Sequence, residues 1–249
     1  FAATPDGLTI GTFTAGVIYP QIVGEAGVRF DLGAMSWIGN AASEPRVLAV
    51  SRRSGLQTIA DLQRPSSPVR IVTGAVGSSG FYAIRILAEA LGLSLEVVPG
   101  FTENEGQLAL VRGDVSANLT SLTAHRPLVE QGLVRLMLQV GGGSHRETGI
   151  PSAEDLVTTP KGRALLSLVA LQGLLARPTA GPPGIPSGRL ALLRRAYAAA
   201  VADPGFMAEV QRLQLPLAPL DGAEVAALVQ RALDQPPDVV AWLREAGRR

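Results

Sequence analysis

The chain has 249 residues and no cysteine. That removes thiolate-held zinc, iron–sulfur clusters and thiol catalysis together, and it fits an oxidising compartment. Lysine is almost missing: of 22 basic side chains only Lys161 is one. The arginine bias reads first as the imprint of GC-rich coding, and second as a preference for the planar fork that holds carboxylates. Charge of either sign in excess is also lacking. Twenty-two basic side chains stand against 21 acidic ones, a net charge of +1, spread along the chain. This argues against a nucleic-acid surface and against a polybasic membrane patch. No apolar run reaches the roughly 18 residues that a bilayer span needs. The longest, from 164 to 176, is broken by Ser167, Gln172 and Gly173. No signal peptide is visible, and the chain opens at Phe1 rather than Met. We read it as processed or truncated, so the missing targeting segment says little about address.

What is present is apolar material and punctuation. Hydrophobic residues make up 47% and charged residues 17%, enough for a full core rather than disorder. The length suits one large domain or two modest lobes. Strand-like runs at 7–11, 37–39, 47–50, 69–74, 95–98, 115–119 and 134–140 alternate with helical patterns, the mark of a parallel α/β sheet. The helix from Phe81 to Leu91 is strongly periodic and stops at Gly92. A second helix covers 107–112, and Ser121 or Thr123 caps a third. After a helix opening at Pro160, residues 177–186 are too rich in proline for anything but extended chain. Ser187 then caps a helix to Ala202, and helices follow at 209–213, 222–233 and 237–246.

The most informative local feature is Gly74-Ala75-Val76-Gly77-Ser78-Ser79-Gly80. It joins a strand to a helix start, where unpaired amides and two serine hydroxyls can cradle an anion. It lacks the Lys-Ser/Thr ending of a phosphate loop, the glycine spacing of a dinucleotide fingerprint and the Gly-x-Ser-x-Gly of a nucleophile elbow. An ordinary glycine-rich turn with a serine cap remains the competing reading. Gly11-Thr12-Phe13-Thr14-Ala15-Gly16 and Leu119-Thr120-Ser121-Leu122-Thr123 are two further loops of small and hydroxyl residues. Ligands of open α/β sheets bind at the carboxyl ends of strands, so three such loops can share a pocket. His125 and His145 have no nucleophile or orienter at a triad-like spacing and read as packing or surface residues. Asp6, Asp114 and Glu147 make no metal-ligand pattern. Glu103 and Glu105 are either paired carboxylates or a solvated helix start whose dipole favours acids. Trp37, Trp242, Tyr19 and Tyr197 read as core or interface.

Several segments in order resemble one family. Pro5-Asp6-Gly7-Leu8-Thr9-Ile10-Gly11-Thr12 resembles its Pro-Asp-Gly-Tyr-Thr-Leu strand and first binding loop. Gly77-Ser78-Ser79 is similar to its Gly-Ser-Ser helix start. Gln107 to Val115 resembles its helix–Gly–acid–Val passage, and Ala176 to Pro186 with Leu190 to Pro204 its return crossing. The family is the solute-binding proteins of tripartite tricarboxylate transporters, also called Bug proteins. The resemblance implies an α/β, two-lobed clamp of the type II periplasmic binding protein kind, each lobe a mainly parallel sheet flanked by helices. Residues 1–48 and 178–249 form lobe I, and 49–177 lobe II. It further implies an opening strand–helix–strand before Phe1.

By position the resemblance assigns ligand binding to Thr12, Phe13, Thr14, Gly77, Ser78, Ser79, Thr120 and Ser121. It implies a small carboxylate captured between the lobes, membrane transporter subunits as partners, a periplasmic address and a monomer. It implies no catalysis, no cofactor and no metal. The chain departs from the family where Thr120 stands in place of a frequent Asp, and where 101–105 replace a Tyr-Lys-Gly pattern. A glutamate near the pocket favours a ligand with an amine or with fewer carboxylates, since like charges repel. A ligand-sensing module of a regulatory system is the alternative use of the same clamp. An enzyme would need a base, nucleophile or metal site that the sequence does not assemble.

Overall fold

The computed structural model describes residues 1–142, 147 and 149–248. His145 and the Gly143-Ser144 stretch before it lie outside the described residues. In chain order the elements open with β1 (Gly11–Thr12), α1 (Ile18–Val23) and β2 (Ser36–Ala42). Next come β3 (Arg46–Ser51), α2 (Ile59–Gln63), β4 (Val69–Val72), α3 (Ser79–Leu91), β5 (Leu95–Val98) and α4 (Glu103–Arg112). They are followed by β6 (Ala117–Ser121), α5 (Leu122–Glu130), β7 (Val134–Val140), α6 (Ala153–Leu156) and α7 (Pro160–Leu174). The chain ends with β8 (Pro178–Gly181), α8 (Ser187–Val201), α9 (Pro204–Arg212), β9 (Leu217–Asp221), α10 (Gly222–Leu233) and α11 (Pro237–Ala246).

Two compact units result. The first comprises Phe1–Ser43 and Leu174–Pro236, the second Glu44–Gly173 and Pro237–Arg249. The sequence reading gave 237–249 to the first lobe. In the structure α11 packs against α3, because Val239, Leu243 and Ala246 form one apolar stripe that is fully buried there.

The first unit holds a four-stranded sheet in the order β1-β8-β2-β9. All three pairings are antiparallel. The second holds five strands, β5-β4-β6-β3-β7. Here β4 runs parallel to β5 and β6, whereas β3 is antiparallel to β6 and β7. The first sheet is thus antiparallel and the second mixed, both flanked by helices, which corrects the expectation of mainly parallel ones. Helical crossovers make neighbours parallel, as in β4–α3–β5. β3, β8 and β9 instead meet partners far away in the chain, and no local pattern sets their direction.

Local chemistry explains most element ends. Thr58, Thr102 and Asp221 begin α2, α4 and α10 with reciprocal capping boxes, each satisfying two otherwise unpaired amides. Ser187 is the first helical residue of α8 rather than its cap, because Pro186 already turns the chain into the helix. Of the strand expected at 7–11 only Gly11 pairs with β8, joined by Thr12 just beyond it. The Asp6 carboxylate takes the Leu8 amide at 2.9 Å, a turn bond that competes with a ladder.

Both cores are apolar with a few placed polar groups. Tyr19 and Trp37 anchor the first unit, and the Trp37 indole N–H donates to the Leu32 carbonyl at 3.0 Å. Asn40 is fully buried on β2. Its Nδ2 donates to the Ala42 and Leu174 carbonyls at 2.8 and 3.1 Å, and its Oδ1 accepts from the Arg177 amide at 3.0 Å. One side chain thereby staples β2 to the segment that leads into β8.

Candidate functional site

The site is built where β4 and β5 give way to α3 and α4. Pairing continues past the strand ends: the Thr73 amide donates to Val98, the Phe101 amide to Thr73 and the Gly100 amide to Gly74, at 3.0–3.1 Å. These bonds hold two helix starts in fixed positions. Gly77 has φ +80°, a left-handed conformation that side chains resist, and it swings the chain into α3. Gly106 lets α4 come close. A methyl there would lie 3.1 Å from Val72 Cγ2 and 3.3 Å from Asn118 Nδ2.

Between these elements lies a hollow of about 250 Å³, lined among others by Arg46, Thr73, Ser78, Ser79, Glu103 and Thr120. Ser78 caps α3 by accepting the Phe81 amide on Oγ at 3.2 Å, which leaves its hydroxyl hydrogen to donate. The Tyr82 amide returns to the Ser78 carbonyl at 3.0 Å. The Ser79 and Gly80 amides therefore remain as first-turn donors at the positive end of the helix. α3 carries no acid in its first turn.

Thr73 completes this donor wall. Its side chain is 7% exposed, and its hydroxyl has no hydrogen-bond partner among the described residues. It faces the helix start: a methyl at Gly80 would stand 3.0 Å from Thr73 Oγ1. Buried hydroxyls are rarely left unpaired, and each exception calls for an explanation, a ligand or ion among them.

The opposite wall is an acceptor. Thr120, 7% exposed, donates its hydroxyl to Glu103 Oε1 at 2.7 Å. Beside it Glu105 accepts the Thr102 amide at 2.9 Å and the Thr102 hydroxyl at 2.7 Å, bonds that lower its pKa below the usual carboxylate value. The half-buried Arg46 of β3 contributes a cation to the lining. Behind the hollow His125 is fully buried, with Nε2 3.2 Å from the Val47 carbonyl. Burial lowers its pKa to about 4, so it packs as a neutral ring.

Of the eight residues singled out from the sequence, the structure brings Ser78, Ser79 and Thr120 to this hollow. Gly77 shapes the loop. Ser121 caps α5 by accepting the Ala124 amide at 3.2 Å. Thr12, Phe13 and Thr14 belong to the first unit. There Thr12 Oγ1 lies 2.8 Å from Thr179 Oγ1, the Phe13 ring packs 5.6 Å from Trp37, and Thr14 precedes a short 3-10 turn. Sequence reasoning missed Thr73, Arg46 and Asn118 as lining residues. Thr73 alone carried a signal, since it ends the strand that feeds the glycine loop.

A second hollow of about 400 Å³ lies beside α3 and α11, lined by Arg85, Glu89, Trp242 and Glu245. Lys161 bonds Glu89 at 2.8 Å and sits 5.7 Å from the Trp242 ring centroid. Among the described residues no group of His, Cys, Asp or Glu could hold a metal ion, and no helix is long and apolar enough to cross a membrane.

Comparison with solved structures gives the fold. A TctC solute-binding protein from Polaromonas, without ligand, superposes with a TM-score of 0.72 at 16% identity, covering 98% of this chain and 79% of that one. MatC from Rhodopseudomonas palustris, with bound malate, gives 0.65 at 16% identity, covering 98% and 81%. An R. palustris protein with adipate gives 0.65 at 17% identity, covering 99% and 80%. No curated protein sequence matches the chain. The tripartite tricarboxylate transporter family receptor profile matches residues 1–241. The chain therefore belongs to the tripartite tricarboxylate transporter receptor family, known as TctC.

Proposed function

We propose that this chain is an extracytoplasmic solute-binding protein that captures a small organic acid in the periplasm and delivers it to a tripartite tricarboxylate-type transporter. The observation that carries the reading is the donor wall at α3. The first turn of α3 with Ser78 and Ser79, and Thr73, whose buried hydroxyl has no partner among the described residues, line one hollow. Such an array favours an anion and offers nothing to move a proton or attack a bond. Family membership and the malate and adipate held by two structural neighbours support a carboxylate as that anion. On this reading Ser78, Ser79 and Thr73 hold the carboxylate. Gly77 and Ser121 shape their loops, and Thr120 fixes Glu103.

The test is a melting curve of the full chain against mono-, di- and tricarboxylates. A ligand at 100 times its Kd adds about 2.7 kcal/mol of stability. Replacing Ser79 with Ala removes a hydrogen bond to charge and weakens binding by about 1.5–3 kcal/mol. A melting temperature that no organic acid moves refutes the reading.

A further inference from the structure

We propose that the hollow selects a small zwitterion, a carboxylate that also carries an ammonium group, and that Glu103 imposes this selection. The inference rests on the proposed carboxylate-binding function and deepens it.

Two helices begin at the hollow, and their starts are chemically opposite. α3 has no acid in its first turn. Its free amides and the Thr73 hydroxyl, 7% exposed and without a partner among the described residues, are donors that an incoming anion can satisfy. α4 brings two acids of its own, Glu103 and Glu105. Glu105 is consumed by the capping box, on the Thr102 amide and hydroxyl. Glu103 is not. Thr120 fixes its Oε1 at 2.7 Å, while the residue itself lines the hollow and is exposed. An ionised carboxylate only accepts hydrogen bonds, so it presents an oriented acceptor to whatever enters.

The charge balance points the same way. Among the lining residues Arg46 is the one cation and Glu103 the one anion. Their formal charges cancel, which leaves the partial positive charge of the α3 start to balance one ligand carboxylate. A second ligand carboxylate placed beside Glu103 would be repelled. An ammonium in its place gains a charge-assisted hydrogen bond.

The experiment uses the full chain and two matched series: ω-amino acids of two to six carbons, and the diacids of the same lengths. Calorimetric titration of wild type is expected to show the amino acid of the best length binding at least tenfold tighter than its diacid. In Glu103→Gln, which keeps the shape and removes the charge, the two are expected to fall within threefold of each other or to reverse. The wild-type ratio needs no variant to fold, and a melting curve of the free variant checks that it does. A wild type that prefers the diacid, or a ratio untouched by Glu103→Gln, overturns the inference. If diacids bind tighter than the amino acids and lose affinity in Ser79→Ala, the carboxylate reading stands and only the zwitterion falls. If neither series binds, the zwitterion falls, and the carboxylate reading falls with it only when mono- and tricarboxylates also leave the melting curve unmoved.

Discussion

Replacing Thr73 with Val separates a binding role from a structural one by the sign of its effect. Thr73 lies 7% exposed at the end of β4, and its hydroxyl has no partner among the described residues. Val keeps the β-branched shape and deletes only the oxygen. Most buried polar deletions destabilise because they orphan a partner, but here there is none to orphan. A buried hydroxyl without a hydrogen bond costs about 1–3 kcal/mol by mutational measure. The free variant is thus expected to be as stable as wild type, or about 1 kcal/mol more stable, in urea unfolding. If the hydroxyl donates to a bound carboxylate, its loss removes a bond to charge worth about 1.5–3 kcal/mol. That corresponds to about 10- to 150-fold in Kd, at 1.4 kcal/mol per decade. Calorimetric titration with the organic acid giving the largest melting shift reads the second number. A variant that unfolds more than 1 kcal/mol earlier, or binds with unchanged Kd, refutes the reasoning.

His125 makes stability depend on pH in a defined window. Its folded pKa of about 4 lies below the ordinary imidazole value of 6.5, so between those values the unfolded chain binds a proton that the folded chain refuses. Stability is then full above about pH 7 and falls by about 3 kcal/mol as pH drops towards 4; urea unfolding at pH 7.5 and 4.5 should show that loss in wild type and not in His125→Gln. Asp61, Glu105 and Asp221 have pKa values lowered by hydrogen bonds to neighbouring amides. The stability they contribute is present above the usual carboxylate pKa and is lost only at lower pH, beneath the histidine window. Asn40→Ala leaves the Arg177 amide and a buried carbonyl unsatisfied and should cost about 2–4 kcal/mol of unfolding free energy. A loss below 1 kcal/mol in that variant would show that the staple between β2 and the return segment is not needed.

Much of the second unit was legible because its rules are local. The glycine loop before α3, the Ser78 cap and the glycine stops at Gly92 and Gly113 are all set by residues within a turn of one another. The start of α4 was misplaced by four residues because apolar periodicity begins only at Gln107. The Thr102–Glu105 capping box, equally visible in the sequence, marks the true start. β9 was missed: Leu217–Asp221 has a proline and no alternation, and it becomes a strand by pairing with β2. Helix α9 begins at Pro204, five residues before the start expected at 209. Asp203 in fact caps α9 by accepting the Phe206 amide at 2.9 Å.

The site itself shows where local reading ends. That Ser78 opens a helix is fixed by its neighbours. That Thr73 has no partner is fixed by what the rest of the fold fails to bring to it, and Glu103 is held by Thr120 across 17 residues of chain. Yet the difference between the two helix starts needs no long-range information. Both have a hydroxyl cap at the end of a strand and loop, and by position alone both are anion sites. α4 neutralises its own start with acids in the first turn, whereas Ser79, Gly80 and Phe81 leave the donors of α3 unspent. Capping residues mark where a helix begins; the three residues after the cap decide whether its amides are still available to a ligand. Applied to 74–81 and 102–105, that rule separates the donor wall from the acceptor wall, and with them the end of the hollow proposed to take a carboxylate from the end proposed to refuse one.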